Sequence, residues 1–286
     1  MFHTGALPKF LEYTFRQFRL FNPDSNVYFL VDAQYVNNII FNKYNILTFN
    51  KNMFYSDKIY QFESLFNYGA NDFWTVTATR FMYIENFMKD LELTDIYHFE
   101  NDVLVYYDIR DHDEKFKSLY KNMAITVGGE IVAMTGFMFI RDWKVLSMMT
   151  EYFIDLLEYG IRGIIAKYRI PMVNEMFLMR QYGLDHPELL QNLPTMPFGE
   201  FSENYSIFNS LFDPASYGQF VGGTRSEGPG AKPQDHYIGR WLTANPDYDV
   251  IWKIENERKI PYLKCDNEIK INNLHIHSKN LHKYIS

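Results

Sequence analysis

Twice in its first hundred residues the chain passes from apolar residues at helical spacing into a run that is apolar almost throughout. Leu7, Phe10, Leu11, Phe15 and Phe18 line one face of a predicted helix over residues 7–20, with Pro8 near its start and Asn22-Pro23-Asp24 after its end. The run NVYFLVD, residues 26–32, then reads as a strand ending in an acid. Trp74, Ala78, Phe81, Met82, Phe87, Met88 and Leu91 mark a second helix, and IYHFENDVLVY, residues 96–106, follows directly as a strand. Helices that alternate with strands cover the faces of a shared sheet, so the pattern predicts an α/β layer fold with a mainly parallel sheet.

After residue 120 the pattern changes. MAITV and VAMTGFMFI read as a hairpin-like pair, and Leu146, Met149, Phe153, Leu156 and Leu157 mark a helix over residues 143–159. Residues 192–235 hold many of the Gly and Pro residues and read as loop, with residues 224–232 expected to close over a ligand.

At 286 residues with 47% hydrophobic content, the chain can bury a sizeable core. A net charge of -7 leaves no basic footprint for nucleic acid, so none is expected as a partner. The single cysteine, Cys265, excludes an internal disulfide and suits a cytosolic location. Gly128-Gly129-Glu130, Thr126, Thr135 and Gly136 interrupt the one long weakly polar run, so no integral membrane segment is expected. The opening MFHTGALPKF lacks the features of a secretory signal.

Two acids interrupt the apolar strand of residues 96–106. Residues i and i+2 of a strand face one side, so Glu100 and Asp102 are expected together, with Asn101 opposite. Paired carboxylates at the carboxyl end of an α/β strand suit Mg²⁺ or Mn²⁺ bridging to substrate phosphates, while a solvated turn would explain the same letters. Near the other end, INNLHIHSK puts His275, His277 and Lys279 on one face of an extended segment. Imidazole can complete a metal shell, and an ammonium can neutralise a diphosphate.

With these two motifs the sequence resembles the metal-dependent glycosyltransferases of the GT-A type. Glu100-Asn101-Asp102 is similar to their DxD motif, and HIHSK to a tail in which a His and a nearby Lys meet metal and diphosphate. The resemblance extends through FHTGALPKFLEYTFRQF and through FDPASYGQFVGGT, residues 212–224. It implies one GT-A domain: a nucleotide-binding half over about 1–110, an acceptor-binding half over about 111–270, and a metal and diphosphate tail over 271–286. It implies transfer of a hexose from a nucleoside diphosphate sugar, UDP-sugar ahead of GDP-sugar, to a carbohydrate hydroxyl, with Mn²⁺ or Mg²⁺ as cofactor.

The implied metal ligands are Glu100, Asp102, His275 and His277, with His277 favoured over His275 because Lys279 follows it on the same face. Donor contacts would come from Thr4, Gly5, Asp32, Arg80, Glu100, Asn101 and Lys279. Asp102, Glu175, Asp213 and Asp235 are the candidate catalytic acids, the last three as bases near the acceptor. Asn174-Glu175 also reads as a helix cap with a dipole-matched acid, and Gly136 as either a bulge or a place where sugar meets backbone. A metal-dependent phosphoesterase and an inactive carbohydrate- or nucleotide-binding module of the same fold are the alternatives.

Overall fold

The computed structural model describes residues 1–67, 72–224 and 237–286. In chain order, α1 (Leu11–Phe21), β1 (Val27–Val31), α2 (Ile39–Lys43), β2 (Ile46–Asn50), α3 (Asp57–Leu65) and α4 (Asp72–Asp90) lead into β3 (Ile96–Phe99) and β4 (Val103–Val105). The middle holds α5 (Arg110–Leu119), β5 (Met123–Val127), β6 (Ala133–Ile140), α6 (Trp143–Leu157), α7 (Ile161–Tyr168), α8 (Glu175–Asp185) and β7 (Leu190–Asn192). The short α9 (Tyr205–Phe208) and α10 (Tyr217–Gly222) interrupt what reads as loop in the sequence. After α11 (Tyr237–Ala244), the chain continues as β8 (Asp249–Glu255), β9 (Arg258–Lys264), β10 (Glu268–Lys270) and β11 (Asn273–His275). Helix α1 starts later than its apolar spacing suggests, because the Leu11 N–H closes a turn onto the Pro8 carbonyl at 3.1 Å.

The class is the mixed α/β fold expected. β1 and β2 are parallel, while the order β3-β6-β5-β7 combines antiparallel β3-β6 and β6-β5 with parallel β5-β7. Antiparallel pairing takes a larger share than the early alternation suggests, since β3 and β4 both pair with strands that come later and run back. β6 divides the core by strand alternation: Phe137 and Phe139 pack with Phe116 and Phe212, while Met138 and Ile140 pack with Phe81, Met149 and Leu178. Each such side chain, fully buried, contributes roughly 1.5–3 kcal/mol.

Residues 96–106 are two strands rather than one. The Glu100 N–H bonds the Gly136 carbonyl at 3.0 Å as the last rung beside β6, and the Val103 N–H then bonds the Glu100 carbonyl at 3.1 Å, closing a turn. Beyond that turn β4 leaves the β3 sheet and pairs with β11, Val103 opposite His275 and Val105 opposite Asn273. Glu100-Asn101-Asp102 is therefore a turn, as the plainer sequence reading has it, but Asp102 is buried in it.

A second buried carboxylate fixes β11 in place. Asp213 accepts backbone N–H bonds from Ser216 at 2.7 Å, Tyr217 at 2.8 Å and Gly218 at 2.9 Å, and a fourth from His275 at 2.8 Å. It thus caps the start of α10 and ties that start to the tail. Gly218 makes the approach possible, because a Cβ there would fall on the His275 carbonyl, well inside contact distance. Gly218→Ala should lower unfolding stability by about 1–3 kcal/mol in urea melts, the usual cost of overpacking. Gly163→Ala, where a Cβ meets nothing within 4 Å, should instead stabilise α7 by up to about 1 kcal/mol.

Candidate metal and diphosphate site

The turn after β3 and the end of β11 bring Glu100, Asp102 and His275 together, each offering a ligand atom within 4.8 Å of the others. His275 Nε2 lies 3.2 Å from Glu100 Oε2 and 3.2 Å from Asp102 Oδ1. Arg80, from the third turn of α4, meets Glu100 Oε1 at 2.6 Å and also donates to the Thr135 hydroxyl, which itself donates to Glu100 Oε1 at 3.1 Å. Lys279 donates to Asp102 Oδ2. Every carboxylate oxygen of the pair therefore faces a donor.

The charges respond accordingly. Burial opposes ionisation of Glu100 and Asp102, yet Arg80 and His275 hold Glu100 well below the usual carboxylate range, and His275 and Lys279 do the same for Asp102. Burial likewise works against a charged His275, but Asp102 and Glu100 outweigh it and raise the imidazole to about 10. Next to it, burial and the His275 charge push His277 down to about 3.

Several expected site residues sit differently from the sequence reading. The extended segment ends at His275, and the His277 Nδ1 meets Gln219 Nε2 at 2.9 Å, with the two imidazole rings 4.2 Å apart. It is His275, rather than the favoured His277, that joins the acids. Asp213 is not placed as a base: its two oxygens take the four N–H groups described above, and it is 1% exposed. Burial pushes its carboxyl up against those donors. Gly136 serves both a bulge and His275: it lies in the stretch of β6 where the register against β5 shifts, Ile125 facing Met138 and Thr126 facing Met134, and a Cβ there would stand 2.6 Å from His275 Nδ1, which has no hydrogen-bond partner.

Glu175 opens α8 behind its N-cap Asn174, which accepts from the Phe177 N–H at 2.9 Å, so the cap reading holds. The acid is also part of the site's surroundings. It is buried, accepts from the Thr77 hydroxyl at 2.9 Å, and is raised by burial against the pull of Arg80, with Glu100 adding to the rise. Asp235 and residues 225–232 of the expected lid lie outside the described residues.

At the carboxyl ends of β1 and β2 a second group gathers. The Gly5 N–H and Thr4 hydroxyl donate to Asp32 at 2.7 and 3.4 Å, and Lys51 meets Asp32 at 3.1 Å and Thr4 at 2.7 Å. Lys51 escapes sequence reasoning, though the β1-β2 register, Val31 beside Asn50, puts the next residues Asp32 and Lys51 side by side. Asn101 links the two groups: its Nδ2 lies 2.9 Å from His3 Nδ1, two residues from Gly5. Thr135, Thr77 and Gln219 likewise carry no sequence signal of their own.

Two cavities lie away from this chemistry, one of about 370 Å³ between β1 and β3 and one of about 280 Å³ between β7 and α8. The charged groups collect where the strands end, which is where ligands bind in α/β sheets.

No family model matches the sequence, and no curated protein matches it. Among solved structures the chain is similar to the apo form of mouse xyloside xylosyltransferase 1, with a TM-score of 0.50 and 13% identity over 68% of this chain and 83% of that one. The chain therefore shares its fold with that xylosyltransferase. Among the described residues, no helix is long and apolar enough to cross a membrane.

His275 gives the site a testable pH signature. A histidine raised from 6.5 to about 10 by folding adds stability that is fully present below pH 6.5 and lost as the pH climbs through 10. Urea melts in a chelator should show stability falling across that window, and His275→Gln should remove most of the slope. An equal slope in both proteins would rule out the ion cluster as its source.

Proposed function

We propose that the chain is a metal-dependent glycosyltransferase that moves a hexose from a nucleoside diphosphate sugar, UDP-sugar ahead of GDP-sugar, to a carbohydrate hydroxyl. One observation carries this reading: Glu100, Asp102 and His275 converge beside Lys279 at a strand end of a glycosyltransferase fold.

The donor set fits Mn²⁺ or Mg²⁺, since two carboxylates and one imidazole are the hard and borderline ligands these ions accept. When bound, such an ion offsets charge growing on a leaving diphosphate. Glu100, Asp102 and His275 would hold it, His275 giving up its imidazolium proton to solvent as the ion enters, with Arg80 and Thr135 fixing the Glu100 carboxylate and Gly136 and Gly218 fixing the imidazole. Lys279 would meet the diphosphate. Thr4, Gly5, Asp32, Asn101 and Lys51 would hold the nucleoside, giving the donor half about residues 1–110 and leaving about 111–270 to the acceptor.

Of the candidate bases, Glu175 is the described one beside the cluster, and its raised carboxyl suits proton exchange. Groups fixed in place before charge develops are usually the largest contribution to such catalysis.

A thermal-shift panel tests the reading. UDP with Mn²⁺ should raise the apparent stability by about 2.7 kcal/mol at a hundredfold excess over Kd, more than either alone. Asp102→Asn should lose that response and all sugar transfer. A protein stabilised by no nucleoside diphosphate, or one that cleaves a plain phosphodiester instead, would refute the assignment.

A further inference from the structure

The three cations around the acid pair are not held alike. Arg80 is 8% exposed, bonds both Glu100 and Thr135, and lies with its guanidinium carbon 4.8 Å from the Phe81 ring centroid. His275 is 7% exposed, with its backbone N–H on Asp213 and glycines at its ring and its backbone. Both are built into the core.

Lys279 differs. Its side chain is 43% exposed, reaches inward from a turn, and places its ammonium on an Asp102 that is 7% exposed. The ammonium lies 5.7 Å from the Phe10 ring centroid, a weak contact compared with the bonds that hold the other two. The turn itself is fixed, through the Lys279 N–H on the Ile276 carbonyl at 3.0 Å and a backbone φ of 61°. The anchored backbone and long side chain let the ammonium swing without disturbing the fold.

A divalent cation that took Asp102 would compete with this ammonium for the same carboxylate. We infer that Lys279 is an exchangeable counter-ion of Asp102, which keeps bare divalent cations off the site and gives way when the cation arrives with a diphosphate that accepts the ammonium. The inference rests on the donor-site reading above and adds an order to it: metal and nucleotide load together. Arg80 and His275 cannot play this part, because moving either opens the core. A lysine suits the exchange, being a compact point charge on a flexible stem that does not depend on one fixed two-point geometry.

Free Mn²⁺, counted by electron paramagnetic resonance during titration of metal-depleted full-length protein, tests the inference. Lys279→Met should bind Mn²⁺ alone about tenfold more tightly than wild type, a coupling of ordinary size between neighbouring sites. With UDP present the order should invert, wild type binding the Mn²⁺ and nucleotide together about tenfold more tightly than the variant. Lys279→Arg should behave as wild type does with Mn²⁺ alone. Lys279→Gln provides a second neutral variant, and melting curves confirm that each is folded.

Equal affinity of wild type and both neutral variants for Mn²⁺ alone, with wild type still binding Mn²⁺ and UDP together, would overturn the exchange and leave Lys279 a fixed phosphate contact. Absence of Mn²⁺ binding by wild type with or without UDP would instead bring down the donor-site reading, and this inference with it.

Discussion

Two carboxylates cannot lie side by side in a protein interior without cations to match them, and much of this fold arranges that match. An unpaired buried charge costs several kcal/mol even after the surroundings relax. Glu100 and Asp102 are met by Arg80 from α4, His275 from β11 and Lys279 from the turn beyond it. A helix before the acid turn and a strand far after it must therefore reach the same point. Both core faces of β6 support this, one carrying α4 and the other the loop of Phe208 and Phe212 that leads to Asp213.

Delivery of the tail is a problem of backbone, not of side chains. Asp213 gathers N–H groups from the start of α10 and from His275, while Gly218 removes the one Cβ that would keep the two segments apart. Gly136 clears space for the imidazole from the opposite side. Residues of different type thus cooperate in docking β11, an acid drawing the tail in and two glycines letting it arrive. The segment FDPASYG, which attracts notice beside the tail motif, matters through hydrogen bonds and close approach.

The elements that the sequence displays are those whose signal is local. β1, α4, β5, β6 and α6 fall where their apolar spacing puts them. The turn between β3 and β4 is legible in Glu100-Asn101-Asp102, but the change of sheet is not, because its causes are the Gly136 carbonyl and a later strand. The same limit separates the two histidines. Spacing by two places them on one face only while the chain stays extended, and it stops being extended at His275. Asp213 reads as a candidate base because its partners are backbone N–H groups, which one-letter code does not show. Lys51 is hidden for a related reason, since its tie to Asp32 exists only once β1 and β2 pair in parallel. The acid pair and the HIHSK motif are legible as chemistry; which atoms meet is a matter of tertiary structure.

The separation of 177 residues between Lys279 and Asp102 also has a consequence for how the chain matures. Contacts so distant in sequence close late, after local elements have formed and the entropy of a long loop has been met. During synthesis the acid turn emerges well before β11, and chains leave the ribosome at about 5–20 residues per second, so several seconds pass with the two acids lacking their tail cations. Until then the carboxylates are free to stay solvated at the end of an unfinished sheet. Leu274 of β11 sits in the same core cluster as β6 while His275 beside it pairs with Asp102, so docking of β11 adds to the hydrophobic core and to the charged cluster in one step.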